Sequence, residues 1–310
     1  MICIKVEKTV KSIQVISWEI NIRKKFFLRM FENANEWIIG NMFSESLIIS
    51  ISKTTNFLHN MRENKMQNKP WMIEKDIQLT SKLMVGTEQY DSAQMIRDVM
   101  VEANSELLIA TINPEDRSSG VPLSDIVDLI GNHDTVPVIT TSFAKSADEA
   151  ITIACRLRES LGIKFLKLDI RNDEKQVYPN NKQTIEAANI LLKEGFTVMP
   201  MILPDPHVAM TLQDMGCCAI RLMAGEIRGN KGIYNLYIMQ EIKKMLNVPC
   251  VGEAGISTLA DVVNLFSIGM DAVLVNTMIA NAEDPILMAK AVRLAVESAN
   301  CAKSASLNTL

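Results

Sequence analysis

The sequence predicts an α/β protein, a (β/α)8 TIM barrel with a non-barrel N-terminal extension. From about residue 82 onward, short apolar runs alternate with helical patterns of ten to fifteen residues, which is typical of repeated βα units around a parallel sheet. Eight such units follow one another within roughly 225 residues, a length that fits a closed eight-stranded barrel. An open doubly wound sheet is the alternative, and it is disfavoured because no Gly-x-Gly-x-x-Gly motif follows the first run.

The eight apolar runs are the predicted barrel strands, and a candidate helix follows each of them. Two of these helices have clear start signals, since Asp205-Pro206 and Asp284-Pro285 each place an N-cap residue before a proline at the first helical position. The predicted strands cover residues 83–87, 107–112, 136–141, 165–170, 197–202, 218–223, 249–254 and 272–277.

The fourth run carries a lysine in an otherwise apolar strand. A parallel strand covered by helices has no reason to contain a lysine unless chemistry or an ion pair holds it there. Because side chains alternate along a strand, Leu166 and Leu168 share one face, and Lys167 and Asp169 share the other. If the leucines face the helices, the amine and the carboxylate face the barrel lumen, near its catalytic end.

Two further ionisable residues are predicted to reach the same mouth of the barrel. Alternation turns Arg221 inward from the sixth run, and Glu253 lies at the end of the seventh, where the loops begin. Lys167 and Asp169 could form a structural ion pair, but we favour a catalytic role because a buried pair contributes little net stability. Arg221 could either neutralise one of the carboxylates or bind an anion directly.

Composition indicates a soluble protein of enzyme size and narrows its partners. The chain has 310 residues, 48% of them apolar, and a net charge of −4, so it lacks the positive charge expected of a nucleic-acid-binding protein. Six cysteines without a Cys-x-x-Cys motif and three isolated histidines predict neither a disulfide framework nor a metal site. We therefore expect a cytoplasmic protein without a metal or cofactor.

Residues 1–65 do not continue the βα rhythm and form the predicted extension, whereas residues 66–310 form the predicted barrel. The extension is rich in Ile, Asn and Lys, and its apolar pieces are too short to span a bilayer. It is either a small helical or hairpin appendage or translated upstream sequence with the true start at Met66 or Met72. We favour the second interpretation and assign this segment no function.

Several short motifs, in this order along the chain, resemble those of the bacterial thiazole synthases. The likeness extends from about residue 72 to about residue 302. Each motif is weak alone, but their order and spacing on eight successive units make the resemblance specific. The motifs are Leu83-Met84-Val85-Gly86-Thr87, Lys167-Leu168, Asp205-Pro206, Ala254-Gly255-Ile256 and Val275-Asn276-Thr277-Met278-Ile279-Ala280.

The resemblance implies a transferase that builds the thiazole phosphate of thiamin. Its substrates would be 1-deoxy-D-xylulose 5-phosphate, dehydroglycine and sulfur carried as a thiocarboxylate on the C-terminus of a small ubiquitin-like protein. Lys167 would form an imine with the sugar ketone, and Asp169 and Glu253 would move protons. Ala254-Gly255 and Asn276-Thr277 would bind the phosphate, although the last two residues could simply cap a turn. We also expect a homo-oligomer.

The chain departs from the family pattern at the mouth of the barrel. The usual Glu two residues after the lysine is Asp169, and the usual Asp-Ala-Gly begins with Glu253. The family's Asn-Thr-Ala-Gly-Cys is replaced by residues 140–144, and its Gly-Ser-Pro-Ile-Gly loop ends at Arg228. Arg228 therefore takes the place of a glycine that would approach the phosphate, and we predict that its guanidinium binds the substrate anion; the alternative is that it blocks phosphate binding.

These changes leave three functions open. The first is a thiazole synthase, and the second is an imine-forming aldolase or isomerase, or another sulfur-inserting enzyme, acting on a different sugar phosphate. The third is a barrel without activity that still binds the carrier protein.

Overall fold

The computed structural model describes residues 70–75, 77–110, 123–130, 135–171, 178–229 and 231–305. Within these ranges, eight parallel strands form one nearly closed barrel, so the predicted (β/α)8 fold is confirmed. The prediction of a separate extension over residues 1–65 lies outside the described residues. The same holds for the last two residues of the predicted strand 107–112.

Most of the barrel strands are shorter than the apolar runs that predicted them. Most runs extend one or two residues past the carboxyl end of the strand, so those residues enter the loops at the mouth. The strands are β3 (Leu83–Val85), β4 (Leu107–Ala110), β5 (Val136–Thr140), β6 (Phe165–Leu168), β7 (Thr197–Ile202), β8 (Ile220–Met223), β9 (Cys250–Glu253) and β10 (Ala272–Val275). The order around the sheet is β3-β10-β9-β8-β7-β6-β5-β4.

The two ends of this order, β3 and β4, have no strand ladder between them. They are bridged at the mouth, where the Thr87 hydroxyl donates to the Ile109 carbonyl at 2.6 Å. This hydrogen bond joins the segments at the carboxyl ends of β3 and β4, which is the end of the barrel that carries the predicted site.

A helix follows each barrel strand. The helices are α1 (Ala93–Ala103), α2 (Leu123–Ile130), α3 (Ala147–Leu161), α4 (Asn181–Lys193), α5 (Pro206–Asp214), α6 (Leu236–Met245), α7 (Leu259–Ser267), α8 (Thr277–Ala280) and α9 (Pro285–Ala305). Both predicted start signals are confirmed, because the Asp205 side chain accepts from the backbone N–H groups of His207 and Val208. Asp284 likewise accepts from the Leu287 N–H at 2.9 Å. Among the described helices, none combines the length and the apolar character needed to cross a membrane.

The alternation predicted for the fourth strand is also confirmed. Leu166 and Leu168 belong to the large apolar cluster between the strands and the helices. Phe165 belongs instead to a second cluster, in which Met84, Met199 and other inward-facing residues fill the barrel. Since Lys167 and Phe165 share a face, the lysine lies above this apolar filling, toward the mouth.

A hairpin that the sequence did not predict covers the amino-terminal end of the barrel. It consists of β1 (Met72–Glu74) and β2 (Ile77–Leu79), paired antiparallel. Met72 and Leu79 are buried in the apolar cluster that fills the barrel. Glu106 fixes the segment after the hairpin by accepting from the N–H groups of Thr80 and Ser81 at 2.6 and 3.0 Å. The opposite end, where the strands finish, remains the accessible one.

Candidate active site

A cavity opens at the carboxyl ends of the strands, between the loops that follow β3, β6, β8, β9 and β10. This is the end at which TIM-barrel enzymes carry their active sites. Of the eight residues to which the sequence assigned a catalytic or phosphate-binding role, seven line it, namely Lys167, Arg228, Glu253, Ala254, Gly255, Asn276 and Thr277. The eighth, Asp169, lies immediately behind the wall.

Lys167 places its amine between two carboxylates. The residue is 4% exposed, and Nζ donates to Asp169 Oδ2 at 2.6 Å. The same nitrogen lies 3.3 Å from Glu253 Oε1. Because the lysine also lines the cavity, its amine is both held in position and accessible to a small molecule.

Arg221 connects the two carboxylates from beneath. It is fully buried on β8, and its two terminal nitrogens pair with Asp169 and Glu253. Nε donates to the Met199 carbonyl at 3.1 Å, and Nη2 also donates to the Leu168 carbonyl at 3.0 Å. Every nitrogen of this guanidinium thus has a protein partner. Of the two roles considered for Arg221, the geometry favours neutralising the carboxylates.

Asp169 is saturated with hydrogen bonds. Besides Lys167 and Arg221, it accepts from the Ser142 hydroxyl at 3.1 Å and from Arg171 Nη2 at 3.3 Å. Complete burial would raise the pKa of this carboxyl, but Arg221, then Lys167 and Arg171, outweigh burial and hold the pKa well below its usual range. Asp169 therefore remains an anion and holds the lysine in place.

Glu253 has different surroundings. It ends β9, is 8% exposed, and lines the cavity in which Lys167 is accessible. One carboxylate oxygen lies near the lysine amine and the other pairs with Arg221. Glu253 is thus the carboxylate that contacts both the lysine and the cavity.

The loops after β8 and β9 meet backbone to backbone beside Glu253. Ala254 and Gly255 adopt left-handed backbone conformations, with φ of 69° and 75°. A Cβ on Gly255 would lie 2.4 Å from the Gly225 Cα, and a Cβ on Gly225 would lie 2.4 Å from the Gly232 carbonyl oxygen. These glycines are required by close approach, and they bring backbone amides to the edge of the cavity.

Arg228 also has a left-handed backbone, with φ of 59°, a conformation that side chains other than those of glycine, asparagine and aspartate adopt rarely. Its side chain is half exposed and pairs with Glu88 at 3.3 Å. Since Glu88 follows β3 and Arg228 follows β8, this pair links two loops at the rim of the cavity.

Asn276 and Thr277 lie where β10 passes into α8. The Asn276 side chain makes no capping hydrogen bond, and its Oδ1 is buried without a partner. It lies against Gly86, where a Cβ would come within 2.8 Å of the Asn276 Cγ. A simple capping role therefore does not account for this asparagine.

Sequence reasoning missed Arg171 and Gln89, both of which line the cavity. The Arg171 Nε and the Gln89 Oε1 are buried without hydrogen-bond partners. A signal for Arg171 was present, because it lies two residues beyond Asp169 and so continues the alternation of Lys167 and Asp169. Among the described residues, no group of three or more His, Cys, Asp or Glu side chains is placed to hold a metal ion.

Comparison with known proteins gives a consistent set of relatives. Residues 74–309 match the family model described as thiazole biosynthesis protein ThiG. A thiazole synthase from Citrifermentans bemidjiense is 38% identical over 226 residues, which cover 72% of this chain and 85% of the relative. Another from Myxococcus xanthus is 35% identical over 234 residues, covering 75% and 88%.

Solved structures agree with the sequence relatives. The Amycolatopsis orientalis BexX/CysO complex contains a chain that is 37% identical, with a TM-score of 0.74, covering 78% of this chain and 99% of that one. A structure titled native KDPGal is 13% identical with a TM-score of 0.50, and this likeness shows the barrel fold alone.

Proposed function

This chain belongs to the thiazole synthase family, whose members form a thiazole, and from this premise we propose that Lys167 forms an imine with 1-deoxy-D-xylulose 5-phosphate. The product is the thiazole phosphate of thiamin. The observation that carries the proposal is a lysine amine at the wall of a cavity, between two carboxylates and above a sealed apolar core.

The lysine supplies an electron sink. Its amine attacks the ketone carbon, a carbon–nitrogen double bond forms, and the ketone oxygen leaves as water. The resulting iminium lets a proton leave the neighbouring carbon, because the electron pair of the broken C–H bond moves toward the nitrogen. Asp169 and Arg221 keep the amine pointed at the cavity throughout.

The two carboxylates have different roles, proton transfer for one and positioning of the lysine for the other. Glu253 faces the cavity and contacts Lys167 at 3.3 Å, so it is the group that exchanges protons with the amine and the sugar carbons. Asp169 stays ionised behind the cavity wall and acts by positioning the lysine.

The phosphate is bound on the far side of the mouth. The β6 and β10 strands are four positions apart in the eight-strand order, so Lys167 and the loop after β10 lie across the barrel from each other. Backbone amides around Ala254 and Gly255, the side chains of Asn276 and Thr277, and the guanidinium of Arg228 surround that side. A five-carbon chain then spans from the phosphate to the imine.

Sulfur is delivered by a small ubiquitin-like carrier protein with a C-terminal thiocarboxylate. The solved relative at 37% identity is a complex of BexX with CysO, which supports a protein partner at this barrel. A cytoplasmic location and a homo-oligomeric state remain predictions.

Borohydride reduction tests the imine. We expect a reduced covalent adduct when the protein is treated with borohydride and 1-deoxy-D-xylulose 5-phosphate, and peptide mass mapping should locate it on Lys167. Sorbitol 6-phosphate, which has a phosphate but no carbonyl, is the control and should give none. An adduct at another lysine, or none with any of a panel of ketose and aldose phosphates, would contradict the proposal.

An adduct without thiazole formation would favour the aldolase or isomerase alternative. The altered mouth motivates that alternative, because Asp169, Glu253 and Arg228 depart from the family pattern. Supplying the thiocarboxylated carrier protein and dehydroglycine separates the two enzymes, since only the thiazole synthase consumes them. Carrier binding with neither adduct nor product would identify the inactive barrel.

Exchanging the two carboxylates tests their joint dependence on Arg221. One guanidinium holds both groups. Relative to the family pattern, the side chain at position 169 is shorter by one methylene and the side chain at position 253 is longer by one, so the two changes offset each other. We expect Asp169→Glu and Glu253→Asp each to lower kcat by about 10- to 100-fold, because small displacements of reacting groups are costly. The double variant should recover to within a few-fold of the wild type.

A double-mutant cycle measures this coupling, which we expect to be about 2–5 kcal/mol, the summed cost of the two single variants less the small cost of the double variant. Losses that simply add in the double variant would show that the two positions act independently.

A further inference from the structure

Arg171 is a largely buried cavity residue whose guanidinium is only partly satisfied by the protein. It follows β6, its side chain is 12% exposed, and Nη2 lies 3.3 Å from Asp169 Oδ2. Its Nε is buried and has no hydrogen-bond partner. An unpaired donor on a buried charged group is costly, so the site lacks an acceptor that a ligand would supply.

The charges of the buried cluster lead to the same conclusion. Among the described residues of this cluster, three cations face two anions. They are Lys167, Arg171 and Arg221 against Asp169 and Glu253. Within this described set one positive charge is therefore in excess, and a poorly solvated site tolerates an unbalanced charge badly. A bound anion would remove the imbalance.

The phosphate of the proposed sugar substrate is in the wrong place to be this anion. It is assigned to the loops after β9 and β10 and to Arg228 in the loop after β8, whereas Arg171 follows β6, which lies across the ring from β10. Arg171 instead belongs to the same strand end as Lys167, so its ligand lies beside the carbon that carries the imine.

We propose that Arg171 binds the carboxylate of the second substrate, a small α-imino acid, and holds it against the Lys167 adduct. The planar guanidinium fork matches a carboxylate in geometry and charge. Asp169 orients the fork by accepting from Nη2, which leaves Nε for the ligand. This assignment rests on the proposed function, since it presumes a second, carboxylate-bearing reactant at the same site.

Two matched small molecules test the assignment. Oxamate carries a carboxylate next to a planar amide and has no reactive carbonyl, and oxamide has the same flat shape without the charge. Calorimetric titration should show that the wild-type protein binds oxamate and not oxamide. We expect Arg171→Gln to weaken oxamate binding at least about 10-fold and Arg171→Lys, which keeps the charge near Asp169, to weaken it less.

Arg228 is the matched comparison, because it is the other described arginine that lines the cavity. Arg228→Gln should weaken binding of inorganic phosphate and leave oxamate binding within about 2-fold, while Arg171→Gln should do the reverse. Oxamate affinity that survives in both Arg171 variants, or oxamide binding as tightly as oxamate, would overturn the assignment.

Kinetics separate this assignment from the function on which it rests. With Arg171→Gln, the borohydride adduct on Lys167 should still form, and the KM for the imino acid should rise at least about 10-fold more than that for the sugar phosphate. If the wild-type protein forms no adduct, the proposed function fails whatever the oxamate titration shows. If the adduct forms and the KM for the imino acid is unchanged in Arg171→Gln, the assignment of Arg171 alone is wrong.

Discussion

Replacing Lys167 with alanine is expected to lower the rate of thiazole formation by at least about 1,000-fold, because the amine that forms the imine is lost. Of the cavity-lining residues that the structure describes, Lys167 is the one lysine. Steady-state kinetics with the complete set of substrates measures the loss, and borohydride should trap no adduct.

The same replacement should cost little stability. Without the amine, Asp169 keeps its contacts with Arg171 and Arg221, and Glu253 keeps Arg221. We therefore expect the free energy of unfolding to fall by less than about 2 kcal/mol. Lys167→Arg is the matched control, since it retains a charge between the carboxylates and cannot act as a neutral amine; it should be equally inactive. Activity within tenfold of the wild type in either variant would contradict a catalytic lysine.

Much of the fold could be predicted because the barrel repeats its pattern. Apolar runs of four to six residues, each followed by a helical pattern, specify the βα units without knowledge of distant contacts. The β1–β2 hairpin was missed for the converse reason. Its strands have three residues each, too few to show alternation, and they are held by burial against the barrel interior, which is a contact distant in sequence.

The sequence could predict which side chains of the candidate site face the barrel interior, but not how deeply each of them is buried. Alternation along β6 placed Lys167 and Asp169 on the inner face, and the structure agrees. Alternation does not say how far along the barrel axis a side chain reaches, and so it could not separate the accessible Glu253 from the enclosed Asp169. The hydrogen bonds of Arg221 to carbonyls on two other strands likewise depend on the closed barrel.

Lys167 and Arg221 therefore illustrate two different uses of a buried cation. In the proposed function the lysine serves the chemistry, and we expect it to be dispensable to the fold. The arginine is inaccessible from the cavity and completes the hydrogen bonding of two carboxylates and two backbone carbonyls. Removing Arg221 should therefore lower the free energy of unfolding directly. It should lower activity only indirectly, through lost stability and misplaced carboxylates.

Arg221→Met is accordingly the substitution with the largest expected effect on stability. Methionine replaces the apolar stem of arginine, but it leaves Asp169 and Glu253 without their shared partner and two carbonyls without donors. Removing one member of a buried ion pair typically costs about 3–5 kcal/mol, and we expect a loss in this range at pH 7. Denaturant unfolding of the two proteins at equal concentration measures it.

The size of this loss should depend on pH, and the pKa of Asp169 determines whether the loss grows or shrinks as the pH falls. Its pKa is lower in the folded protein than in the unfolded chain, so its contribution to stability is present above the unfolded value of about 4 and is lost as the pH falls below it. Without Arg221, the pKa of Asp169 is lowered less, and less stability remains to be lost in acid. The difference between wild type and Arg221→Met should therefore be largest near pH 7 and narrow below about pH 4.

Arg221→Lys separates charge from geometry. A lysine keeps the positive charge but presents a single ammonium group that cannot hold both carboxylates and both carbonyls in the arrangement of the guanidinium. We expect it to recover less than half of the lost stability and to leave kcat far below that of the wild type. Full recovery by lysine would mean that the cluster needs only a charge, and a pH-independent loss in Arg221→Met would mean that Asp169 does not depend on this arginine.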